Sequence, residues 1–248
     1  MTMQPDANTL DRLRDDKEYY GEFGRQFLSN SDVGNLLKNP KEFRVPREDN
    51  QAFAKGRYFH QSLLEPEKAV EFPFVDCASR NTMIYKNAIH EAGVPVLLLK
   101  KEKEELDQLV STMRSNLWLY EHMYLSDNEF EVPGVQEFDG VWWKGKADII
   151  SSEYIIDLKT TSNLDDFIYS ARKYNYDSQA YIYQSIFGKP LVFFAIEKSS
   201  GRMGVYYTSE DFIQRGKQKV ERALEVYHKF FGPNAVEDID QYFITETL

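Results

Sequence analysis

The apolar residues of this chain recur in two periods, and the switches between them mark out its elements. Leu106, Leu109, Val110, Met113, Leu117 and Tyr120 stand at i, i+3, i+4, i+7 spacing, which predicts one amphipathic helix over residues 100–124. Its opposite face is rich in Lys and Glu and reads as solvated surface. A last long helix is predicted over 209–231, with Ile213, Val220, Leu224, Tyr227 and Phe231 on one face. Thr208 and Asp211 have capping-box spacing at its start, and Gly232-Pro233 ends it. Between these helices the period changes to two. FEVPGVQEF and VWWKGKADII flank Asp139-Gly140, a dipeptide suited to the two-residue hairpin turn. YIIDLKTT follows as a third strand, and LVFFAIEK and RMGVYYT form another hairpin across residues 199–201.

Shorter elements fill the remainder. The first 26 residues are a polar lead-in with helical character around 10–20. Ser29 or Ser31 can cap a short helix that Asn39-Pro40 stops. A helix over 49–64 carries His60 and ends before Pro66. Residues 72–76 read as a short strand, 79–92 as a helix stopped near Gly93, and 94–99 as an apolar strand. LDDFIYSARKYNY reads as a helix capped by Asp165 or Asn163, and DSQAYIYQSIFG as another that ends at Gly188. No repeat, flexible linker or low-complexity block interrupts the pattern. The simplest account is one α/β domain with a helical N-terminal portion: a lead-in over 1–26, the domain over 27–232 and a tail over 233–248. Its central mixed sheet would carry helices on both faces.

Composition narrows the class. The 248 residues include 16 Tyr and 17 Phe and are 42% hydrophobic, enough for a sizeable core and unlike a disordered chain. A single cysteine, Cys77, excludes an intramolecular disulfide, a Cys-based zinc site and an iron–sulfur cluster. The polar N-terminus lacks an apolar signal core, and no apolar run approaches the ~20 residues of a spanning helix. A soluble, reducing compartment, the cytoplasm, is expected. The net charge of −10 argues against broad nonspecific nucleic-acid binding, although a local basic track around an acidic site is compatible with it.

The candidate chemistry lies between Lys144 and Tyr183. Along a strand, residues i and i+2 share a face, so Asp157 and Lys159 project together while Leu158 turns into the core. If the strands ending in Asp148 and starting before Asp157 pair antiparallel through the 151–153 turn, both acids reach one edge. Glu137, on the partner strand of the first hairpin, is a possible third acid. Closely placed carboxylates call for a divalent cation, which takes oxygen ligands. Lys159 can orient a water or stabilise charge developing on a phosphate. Blander readings exist for each residue. An Asp-Leu-Lys triplet is common on solvated strands, and a lone His on an apolar helix face is usually packed and hydrogen-bonded. Tyr183, beside Tyr181 and Ile182, is by default a core residue. Trp142 and Trp143 are expected to pack on opposite sheet faces. Lys100, Lys101, Lys103, Arg172 and Lys173 could line a phosphate track but fit solvated faces better.

The combination G-x-x-D, D-x-K and Q-x-x-x-Y resembles the PD-(D/E)XK (restriction-endonuclease-like) nuclease superfamily. The likeness is to the subgroup with RecB-type nuclease domains and phage recombination exonucleases of the exodeoxyribonuclease VIII type. FLSNSDVGNLLKNPKEF, KGRYFHQSLLEPEKAVEF, GKADII, IIDLKTT and SQAYIY follow that family in order and spacing, over about residues 19–231. The resemblance implies metal-binding carboxylates at Asp148 and Asp157 and a catalytic lysine at Lys159. It also implies a metal contact from His60 and an additional acidic ligand in Glu137, with Leu158 in the same metal set. Gln179 and Tyr183, four apart on one helical face, would line the cleft and help hold substrate. The implied activity is a Mg²⁺- or Mn²⁺-dependent exonuclease acting on double-stranded DNA ends, with 5′–3′ polarity, in recombination, replication or repair. A ring-shaped homo-oligomer and a single-strand annealing partner are implied as well. The rivals are an inactive nucleic-acid-binding module of the same fold, an endonuclease, and a nuclease subunit of a larger complex.

Overall fold

The Asp139-Gly140 turn sets the frame of the molecule. In the computed structural model both residues take left-handed backbone angles, with φ of 48° and 72°, and they join strands β3 (Glu129–Phe138) and β4 (Val141–Ile150) in an antiparallel hairpin. The structure describes residues 5–46 and 48–244. β5 (Ile155–Thr161) pairs antiparallel with β4, and β6 (Leu191–Glu197) lies parallel to β5. β7 (Met203–Tyr207) closes the mixed sheet antiparallel to β6, in the order β3-β4-β5-β6-β7. The parallel β5–β6 step needs a crossover, supplied by helices α9 (Phe167–Lys173) and α10 (Tyr176–Phe187).

Each sheet face is covered. On one, Ile149, Ile156, Leu158 and Phe194 pack against α4 (Gln51–Leu64), α7 (Lys100–Ser115) and α8 (Leu117–Met123) through Phe59, Leu63, Met113 and Met123. On the other, Trp143, Ile155 and Phe193 pack against α3 (Asn30–Lys38), α10 and α11 (Glu210–Phe230). The N-terminal helices α1 (Ala7–Arg14) and α2 (Asp16–Tyr20) place buried Leu13 and Tyr19 beside Val135 and Trp142. The two tryptophans therefore face opposite ways, as the alternation predicts. Leu28 bridges to Trp143 and ties this N-terminal portion to the sheet. Among the described residues no helix is long and apolar enough to cross a membrane.

Several elements differ from the periodicity. The helix predicted over 100–124 breaks at Asn116, which takes extended backbone and whose side chain accepts the Leu119 N–H at 3.0 Å, capping α8. The buried stripe then shifts to Leu119 and Met123, leaving Leu117 and Tyr120 exposed. The predicted strands at 72–76 and 94–99 shrink to a parallel pair, β1 (Phe74–Val75) and β2 (Leu98–Leu99), because Pro95 has no N–H for a ladder. α5 (Pro66–Val70) precedes them, and α6 (Met83–Ala92) starts only where Thr82 caps the Tyr85 N–H. α9 follows Asp166, not Asp165 or Asn163. Asp165 is held by Arg202 at 2.9 Å instead. Ser209, not Thr208, caps α11, since the Thr208 hydroxyl donates to the Leu191 carbonyl at 2.9 Å.

Candidate active site

β4 and β5 pair only at Ile149–Ile156 and Ile150–Ile155. Beyond these the strands part, and the Asp148 carboxylate occupies the opening: its Oδ2 accepts the Leu158 main-chain N–H at 2.7 Å. Its other oxygen lies 3.4 Å from Nδ1 of His60, presented by the third turn of α4. Glu131 completes the group from β3. Phe130 pairs with Ile149 and Val132 with Ala147, so Glu131 falls opposite Asp148. Its φ of 50° is uncommon for a residue with a side chain and is a kind of strain that clusters at functional sites. Ligand atoms of His60, Glu131 and Asp148 all lie within 4.8 Å of one another.

Charge is concentrated here. Burial pushes the Glu131 pKa up, and the Asp148 carboxylate pushes it further, to about 8. Burial works against the His60 imidazolium, but Asp148 outweighs it and raises the His60 pKa to about 9. Burial also disfavours the Asp148 charge, yet His60, Lys159 and the Leu158 N–H together hold its pKa below the ordinary value.

Asp157 and Lys159 project toward α10, on the face away from Leu158, whose side chain is in the opposite core. Gln179 Nε2 donates to Asp157 Oδ1 at 2.6 Å. Lys159 Nζ lies 2.5 Å from Asp157 Oδ2, so an amide holds one oxygen of this buried carboxylate and an ammonium the other. Burial works against the Lys159 charge; Asp157, Tyr176 and Asp148 outweigh it and raise the lysine pKa, which keeps it an ammonium. Tyr183 donates its hydroxyl to the Lys146 carbonyl at 3.0 Å, two residues before Asp148. Gly145 lets it approach: a Cβ there would stand 2.8 Å from the Tyr183 ring.

The sequence-predicted residues thus fall into three sets. His60 and Asp148 meet directly; Asp157, Lys159 and Gln179 form an adjoining cluster; Tyr183 anchors the backbone beneath both. Glu137 does not reach this group. It is exposed and pairs with Trp142 beside the turn, at the far end of the strand from Glu131. Leu158 has only its main chain to offer. On α7, Lys100, Lys101 and Lys103 pair with Asp76, Glu105 and Asp107. Three side chains from two strands and a helix, two carboxylates and an imidazole, fit a hard divalent cation that takes oxygen and imidazole donors.

Residues 33–233 match the model of a family described as a PDDEXK-like domain of unknown function. The chain belongs to this family. A solved structure from Eubacterium rectale described as a "Putative exonuclease" superposes with a TM-score of 0.63 at 18% identity, covering 99% of this chain and 96% of that one. At this identity the likeness shows the fold, a PDDEXK-like α/β nuclease fold. A phage related exonuclease from Haemophilus somnus aligns at 15% identity over 62% of this chain and 89% of its own, with a TM-score of 0.34, too low to carry an argument. A search of curated proteins finds no match.

Proposed function

We propose that this PDDEXK-like protein is a metal-dependent deoxyribonuclease. The observation that carries the reading is the convergence of His60, Glu131 and Asp148 within 4.8 Å, next to the Asp157–Lys159 pair. His60, Glu131 and Asp148 would hold the cation, with Asp157 and the Leu158 carbonyl completing the set. A bound Mg²⁺ or Mn²⁺ neutralises phosphate charge and lowers the pKa of water toward neutrality. Lys159, held as an ammonium against Asp157, faces the negative charge that builds on the phosphate oxygens as a water oxygen bonds to phosphorus and the ester P–O bond breaks. Gln179 fixes Asp157, and Tyr183 fixes the β4 backbone that carries Asp148.

The motif resemblance extends the proposal to an exonuclease that removes nucleotides from duplex ends, 5′ to 3′, in phage-type recombination, replication or repair. A ring-shaped homo-oligomer and a single-strand annealing partner belong to the same extension. The test is cleavage of end-labelled linear duplex beside covalently closed circular DNA, with Mg²⁺, with EDTA and with Asp157→Ala. Metal-dependent loss of the linear DNA alone, absent in the variant, is the expected result. Cutting of the circle would replace the exonuclease reading by an endonuclease. No cleavage by folded protein under Mg²⁺ or Mn²⁺ would overturn the nuclease reading.

A further inference from the structure

A cleft of about 840 Å³ opens between α2, α3 and the start of α4. It is lined by α2 and the turn after it, by α3, by Arg44–Pro46, Glu48 and Asp49, by the start of α4, and by Lys144 and Tyr183. Two relationships connect it to the site. Phe53, Arg57 and His60 stand at i, i+4 and i+7 and share one face of α4, so the helix face that lines the cleft continues to the cluster. β4 passes from Lys144 in the lining to Asp148 in four residues.

The lining mixes basic and aromatic side chains with the acids Asp16, Asp32, Glu48 and Asp49. Tyr20 and Phe53 are large aromatic side chains left 68% and 55% exposed. Arg57 is half exposed and paired with Asp49, a surface ion pair of small net strength that a better anion displaces. Exposed π-faces beside a cation suit an unpaired base and its phosphate. In a duplex, by contrast, the base faces are already stacked. Arg57 lies three residues from His60, about 4.5 Å of helix rise.

We infer that this cleft binds one unpaired nucleic-acid strand next to the reacting phosphate, with Tyr20 and Phe53 stacking on bases and Arg57 contacting the adjacent phosphate. The inference rests on the reading that the site acts on nucleic acid and adds which form of it enters: the strand to be cut leaves its partner first. Asp49 competes with the phosphate for Arg57 and tunes the affinity.

The test is fluorescence anisotropy in EDTA, where no cleavage occurs, with a labelled single-stranded oligodeoxynucleotide and a blunt hairpin duplex as probes. The Tyr20→Ala/Phe53→Ala double variant, altered only at exposed positions, is expected to bind the single strand about tenfold or more weaker and the hairpin unchanged. Arg57→Gln is expected to reduce the slope of log affinity against log salt by about 0.7 on the single strand. Asp49→Asn is expected to tighten single-strand binding several-fold. Equal losses on both probes, or an unchanged single-strand affinity in the double variant, would overturn the inference. Binding is read without metal, so the outcomes separate. Cleavage with no such binding pattern removes this inference alone; the binding pattern with no cleavage under Mg²⁺ or Mn²⁺ removes the nuclease reading alone.

Discussion

The Asp148 carboxylate accepts the Leu158 N–H at 2.7 Å where β4 and β5 separate. It therefore replaces a ladder hydrogen bond as well as facing His60. Asp148→Ala strands a buried donor at a cost of about 1–3 kcal/mol, whereas Asp148→Asn retains an acceptor oxygen. Both variants are expected to lose cleavage, but only the alanine should lower the unfolding free energy from urea denaturation by that amount. Equal loss of stability in the two would assign the role to the charge of Asp148 and not to its acceptor.

Glu131 combines a left-handed backbone with a buried carboxyl whose pKa burial and Asp148 raise to about 8. Asparagine tolerates that backbone better and brings no charge. Glu131→Asn is expected to stabilise the metal-free protein by about 1 kcal/mol while weakening Mn²⁺ binding. Thermal unfolding in EDTA and calorimetric titration read the two effects; a destabilised variant would refute the strain argument.

Gln179 touches Asp157 and acts through it. Gln179→Leu is expected to leave the fold intact and raise the metal concentration needed for half-maximal cleavage about 10–100-fold. An unchanged metal dependence would show that Asp157 does not need this orientation.

Gly145 and Tyr183 are in contact across β4 and α10. A methyl group at 145 meets the ring at 2.8 Å and Ile186 at 3.1 Å, so Gly145→Ala should destabilise by about 1–3 kcal/mol. Tyr183→Phe loses one hydrogen bond, to Lys146 O, and should cost about 1 kcal/mol. Chemical unfolding of both variants checks the order; a harmless Gly145→Ala would mean the ring yields freely.

Glu102 links three elements at the start of α7. It accepts Arg80 at 3.0 and 2.6 Å and the Leu99 N–H at 3.0 Å, and it pairs with Lys55 at 3.0 Å. Burial alone would raise its pKa, but these partners hold it at about 2 against an ordinary 4.5. With the folded pKa depressed, the stabilisation is fully present above pH 4.5 and is lost as pH falls from there toward 2. Urea unfolding of wild type and Glu102→Gln across that window should converge at the acid end, by on the order of 2 kcal/mol. Parallel curves would show that the cluster adds nothing.

Much of this was legible in the residues. The spacing of Asp148, Asp157 and Lys159 around the 151–153 turn gives the hairpin geometry, and hairpins transmit register faithfully. The same reasoning, carried further, finds Glu131. Counting outward from Asp139-Gly140 places 131 opposite 148 and 137 opposite 142, so Glu137 sits at the wrong end of its strand. The break at Asn116 was hidden because the apolar stripe resumes with a shifted phase. The cleft could not be read at all, since Tyr20, Phe53 and Lys144 meet only through tertiary packing, which no local period encodes.

The N-terminal helices bear on how the protein should be cut and expressed. Lys144 and Lys146 are nearly inaccessible to water, and their ammonium groups end on carbonyls of Tyr19 and Arg14, with Asp16 at 2.7 Å from Lys146. All of these partners precede residue 33, where the family match begins. A gene trimmed to the matched boundaries would strip both cations of their neutralising oxygens and expose the apolar side of Trp142. Its product should be recovered in inclusion bodies, and that failure would reflect the choice of boundary, not an unstable catalytic sheet.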